Sequence, residues 1–155
     1  MKLKFIIVMA IAFSLASCGG DKPKNEASEA KPEKEVETTN VSSDPMSNKG
    51  IGPITSVTLG EIDQTMVTEG EAVFKAKCTA CHKVDRKFIG PAPNGIMERR
   101  SPEWIMNMIL DPEGMVKNDP IAKQLLLDYN GSPMANQNLT EEEARSILEY
   151  FRTLE

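Results

Sequence analysis

The sequence predicts a small all-α domain behind a disordered tether, and three observations carry that expectation. Beyond about residue 63, apolar residues recur at helical rather than alternating spacing. The stretches that carry them open on capping residues and stop at Pro or Gly signals. No convincing strand pair and no internal repeat interrupts them. Of the 155 residues, 40% are hydrophobic and 5% aromatic, thin for a core spanning the whole length, so one domain plus something extra is expected. A formal net charge of −5 and a pI near 5.1 argue against a nucleic-acid binder, which needs a basic face.

Taken in order, residues 1–17 read as a leader. Lys2 and Lys4 precede an apolar run over residues 5–15. That run is shorter than the roughly 20 apolar residues a spanning helix needs. It ends in Leu15-Ala16-Ser17-Cys18, which resembles the lipobox of bacterial lipoproteins. The resemblance implies cleavage before Cys18, a lipid on that cysteine, and a periplasm-facing, membrane-anchored protein of the bacterial cell envelope. Acyl chains at about 0.8 kcal/mol per buried CH₂ hold such a protein firmly. Residues 18–49 then run through Lys, Glu, Pro, Ser, Thr and Asn with almost no large apolar side chain. They bury too little surface to offset the entropy of ordering and read as a disordered linker.

The domain is expected over residues 50–155, with its core from about residue 63. Residues 50–60 alternate Ile, Val, Thr and Leu between glycines, as an extended segment lying against the domain does. Met66, Val67, Gly70, Val73 and Phe74 share one face of a first helix. Ser101-Pro102 starts a second carrying Trp104, Ile105, Met108 and Ile109, and Asp111-Pro112 stops it. Asp119-Pro120 starts a third that runs through Leu125, Leu126 and Tyr129 to Asn130-Gly131. Thr140 to Glu143 forms a capping box, followed by Ile147, Leu148, Phe151 and Leu154.

The chemistry lies in Cys78-Thr79-Ala80-Cys81-His82, a C-x-x-C-H attachment signature for c-type haem. Two thiols one helical turn apart reach two vinyl groups on one porphyrin edge, and the next residue sets an imidazole beneath the iron. A thioredoxin-like dithiol calls for a βαβ unit, which is missing from the pattern. A zinc site needs further ligands, and no spare thiol or imidazole stands outside the motif apart from Cys18. A disulfide across two residues is strained. With Cys18 lipidated and Cys78 and Cys81 bound to haem, all three cysteines are used.

On these residues the stretch from about Met66 to Glu155 resembles a class I monohaem cytochrome c, of lipoprotein type given the leader. Gly70 and Phe74 match the small and aromatic residues of that family's first helix, and Leu148 and Phe151 the pair on its last. Ile89-Gly90-Pro91 matches the segment whose proline carbonyl accepts from the proximal histidine, so the resemblance implies that Pro91 orients His82. His82 is the one histidine, so a second axial ligand from this chain is expected to be one of nine methionines. Met1 and Met9 lie in the leader, Met46 in the linker, Met66 ahead of the motif and Met97 soon after Gly90-Pro91, and Met106 and Met108 read as core filler, leaving Met115 and Met134. The family places its methionine in a loop before the last helix, where Met134 stands. Arg99, Arg100 and Trp104 are candidates to hydrogen-bond or pair with the haem propionates.

The resemblance implies an electron carrier, monomeric, with one covalent haem c and no catalytic residue. Its expected donor is a quinol-oxidising complex. The acceptor would be a terminal oxidase or a reductase such as nitrous oxide reductase. A haem sensor or peroxidase-like enzyme with a labile sixth ligand, or a fixed relay subunit of a respiratory complex, stays open. Lys75, Lys77, Lys83, Arg86 and Lys87 outnumber the single acid Asp85 around the motif, an arrangement that would steer the haem edge toward an acidic partner.

Overall fold

The computed structural model describes residues 42–154, so the leader, Cys18 and the linker through residue 41 lie outside the described residues. The five helices are α1 (Gln64–Lys77), α2 (Pro102–Leu110), α3 (Pro112–Asn118), α4 (Pro120–Asp128) and α5 (Glu141–Phe151). A single 3₁₀ turn, Ile96–Glu98, lies between α1 and α2. Among the described residues there is no strand, and no helix is long and apolar enough to cross a membrane. The all-α expectation holds.

Each helix starts where its cap dictates. Asp63 accepts from the backbone N–H groups of Thr65 and Met66 at 2.8 and 3.1 Å, satisfying donors that the first turn of α1 leaves free. Lys75 and Lys77 in its last turn suit the negative end of the helix dipole. Thr140 and Glu143 form the reciprocal capping box of α5, at 2.9 and 3.2 Å. Asp111-Pro112 does more than the stop expected of it. Its proline forces Asp111 out of helical geometry, ending α2, and then serves as the first residue of α3, which Asp111 caps through Gly114 N–H at 2.9 Å. With only 7 residues, α3 is too short for periodicity to reveal.

The core forms where α1 crosses α5. Gly70 meets the backbone of Ser146 and Ile147, and a side chain there would land on the Ser146 carbonyl. One turn on, Phe74 packs edge-on against Phe151, ring centroids 5.6 Å apart, and beside Tyr150 at 5.7 Å. Trp104, Ile105 and Ile109 of α2 and Ile147 and Leu148 of α5 complete this core.

The segment before α1 is bound to the domain. Asn107 of α2 donates to the carbonyls of Lys49 and Ile54 at 3.0 and 2.9 Å and accepts from Ile54 N–H at 3.0 Å, acting as a substitute strand partner. Gly50, at φ +72°, presses on Met115 and Trp104 where a side chain has no room. Arg152 holds the far end through the Gly60 carbonyl at 2.8 Å. This packing extends to Asn48, within the stretch expected to be linker. Asn48 is wholly buried, and Ser101 Oγ donates to its carbonyl at 2.6 Å. A polar side chain with buried partners orders the chain here, where hydrophobicity gave no sign of it.

Candidate haem site

The cysteine motif continues the turn of α1. Cys81 and His82 N–H groups donate to the Cys78 carbonyl at 3.1 and 2.9 Å, which brings Cys78, Cys81 and His82 together on the wall of one cavity. Cys81 is exposed and Cys78 half-buried. Burial, with Cys81 beside it, pushes the Cys78 thiol up to about 11. Gly90 N–H donates to the Cys81 carbonyl at 2.8 Å, folding the following loop back over the motif. A side chain at Gly90 would fall on the His82 ring, so only glycine permits this approach.

His82 Nδ1 lies 2.8 Å from the Pro91 carbonyl. A carbonyl only accepts, so Nδ1 carries a proton and donates, which leaves Nε2 as the nitrogen whose lone pair a neutral ring offers. The ring is thereby held in the tautomer that a metal bound through Nε2 requires.

The two methionines left open by the sequence separate here. Met115 is fully buried away from the cavity, and its sulfur accepts from Ile51 N–H at 3.0 Å. Met134 lines the cavity with His82, in a loop bounded by Asn130 and Asn138, both at positive φ. Met108 of α2 lines it as well, a placement the sequence reading assigned to the core alone.

The three residues proposed near the propionates have different fates. Arg99 donates to the carbonyls of Asn94 and Ala92 at 2.8 and 3.1 Å, bracing the loop after Pro91. Trp104 lines the cavity, but its indole N–H donates to Asp119 Oδ1 at 3.1 Å. Arg100 stacks over Trp104, 5.2 Å from the ring, and its buried Nε has no hydrogen-bond partner. An unpartnered guanidinium N–H in a cavity wall suits an anionic substituent such as a propionate. Tyr129 also lines the cavity, with Lys87 Nζ 4.3 Å over its ring. The sequence reading saw it only as the end of a helix stripe.

An apolar cavity with two thiols, a tautomer-fixed imidazole and the unpartnered Arg100 guanidinium N–H among its lining residues fits a haem attached at one edge. Comparison with known proteins agrees. The family model for cytochrome c matches residues 67–155. A cytochrome c-551 of Stutzerimonas stutzeri is 33% identical over 97 residues, covering 57% of this chain and 80% of that one. The cytochrome c-551 of Ectopseudomonas mendocina is 33% identical over 86 residues, 55% of this chain and 96% of that one. Among solved structures, a cytochrome c from Rhodothermus marinus is 48% identical with a TM-score of 0.63, covering 65% of this chain and 87% of that one. The chain therefore belongs to the cytochrome c family, electron-transfer proteins that carry covalently attached haem c.

Proposed function

We propose that this chain is a membrane-tethered monohaem shuttle that passes electrons between respiratory partners. In this reading Cys78 and Cys81 would hold the haem covalently, and His82, through Nε2, and Met134 would supply its iron ligands. The observation that carries it is the His82–Pro91 hydrogen bond at 2.8 Å on the wall of a cavity that Met134 also lines. When bound, the haem supplies a one-electron Fe(II)/Fe(III) couple. The protein's part would be to supply both iron ligands from its own side chains, which favours electron transfer over ligand chemistry. Pro91 fixes the His82 ring, Arg100 receives a propionate, Arg99 steadies the loop between them and Trp104 contributes its ring face. Cys18 carries the lipid, which keeps the domain near its membrane-bound donor, a quinol-oxidising complex. The acceptor is a terminal oxidase or a reductase, nitrous oxide reductase being one such enzyme.

Absorption spectra of the matured protein test the ligand assignment. Wild type should show the weak far-red ferric band of a methionine sulfur on iron, Met134→Ala should lose it, and Met108→Leu should keep it. A wild type without that band that binds carbon monoxide readily would point to an open iron, and so to sensing or peroxidase-like chemistry. The tether is tested separately: Cys18→Ser should move the protein from the membrane to the soluble fraction.

A further inference from the structure

Asp119 is 1% exposed, and its two oxygens take three hydrogen bonds from three parts of the chain. Oδ2 accepts from Asn48 Nδ2 at 2.6 Å. Oδ1 accepts from the Trp104 indole N–H at 3.1 Å and from Ala122 N–H at 2.7 Å. All three donors are neutral, and among the described residues no Lys or Arg pairs with this carboxylate. Capping α4 does not call for such an arrangement. Ser101 caps α2 before a proline in the same way without a charge, at 3.2 Å from Trp104 N–H.

Two of the three residues that hold Asp119 belong to the wall of the haem cavity. Trp104, Ala122 and Arg100 line it, while Asp119 does not. Arg100 stacks on the ring whose N–H Asp119 holds; burial and then the nearby Arg99 push its guanidinium below its usual value, and the Asp119 carboxylate pulls weakly the other way. The carboxylate is therefore one residue away from the cavity, with little water to screen it.

We propose that Asp119 is a positioning and charge-setting residue for the haem: it locks the Trp104–Arg100 wall, and its buried negative charge favours the oxidised iron. The inference rests on the haem occupying this cavity. Oxidised iron carries one more positive charge than reduced iron, so a fixed anion nearby stabilises it and lowers its affinity for an electron. The same carboxylate binds Asn48, which ties the segment before α1 to the residue that holds the Trp104 indole N–H.

Reduction potentials of the matured haem protein, at fixed pH and ionic strength, test the proposal. The variants are Asp119→Asn and Asp119→Ser, which both keep a capping oxygen and lose the charge, and Asn48→Ala, which keeps the charge and loses a hydrogen bond. Both neutral variants should raise the electron affinity about three- to tenfold, tenfold being about 59 mV for a one-electron couple. Asn48→Ala should lower the melting temperature and shift the affinity less than about twofold. The proposal is overturned if either neutral variant keeps the wild-type potential, or if Asn48→Ala shifts it as far as Asp119→Asn does. The c-type absorption bands report haem occupancy independently, so an empty cavity and an ineffective charge give different results.

Discussion

Gly70 sets how closely the first and last helices approach, because the Ser146 carbonyl occupies the space a side chain would need. Gly70→Ala should therefore separate α1 from α5 and loosen the Phe74–Phe151 contact. Overpacking of this kind costs about 1–3 kcal/mol, to be read as a lowered denaturation midpoint with an unchanged denaturant slope. At this scale the sequence was legible wherever chemistry is local. The cysteine motif, the glycine before Phe74 and the proline after Gly90 all lie within short stretches whose residue types restrict what they can do. Asn48 and Asp119 were not legible. They meet across 71 positions, and polar residues that pair at such a distance leave no periodic trace. Asp119 was visible only as a helix cap, which it also is.

The helices keep the start and stop signals read from the sequence, and one of those signals serves twice. Ser101, Asp111 and Asp119 each stand before a proline, and each caps a helix through its side chain. Two of these were read as starts and the third, Asp111, as a stop alone, since the seven residues after it are too few to show a face. The extended segment over residues 50–60 was legible from its alternation. Its anchor was not, because Asn107 looks like any polar residue on a helix. Asn107→Ala would strip three backbone groups at Lys49 and Ile54 of their partner. A loss of about 2–3 kcal/mol is expected. Amide hydrogen exchange should accelerate at Ile54 while α1 and α5 keep their protection.

Over the molecule as a whole, the net charge hides an uneven surface. Phe88 and Ile89, each about half exposed, lie beside the motif among Lys83, Arg86 and Lys87. Lys75 and Arg86 are paired with Glu71 and Asp85, at 2.8 and 3.0 Å. Lys83 and Lys87 donate to the carbonyls of Thr79 and Asp128 and keep an unneutralised charge. Three glutamates meanwhile open α5. An apolar patch with a basic rim fits a partner with an acidic rim, and association rates should fall as salt is added from about 0.01 to 0.15 M, where the screening length shrinks from about 30 to 8 Å. Lys83→Glu with Lys87→Glu should flatten that dependence; an unchanged slope would remove these two residues from the docking face.

The burial of Asn48 also has a mechanical consequence. Any load that reaches the domain from before residue 42 arrives at a hitch rather than at a helix end. Ser101 and Asp119 grip that hitch from α2 and α4, leaving α1 and the cysteine motif out of the line of force. If the chain is tethered through its N-terminal residues as proposed, that grip would keep the segment carrying Cys78, Cys81 and His82 out of the path of a pull.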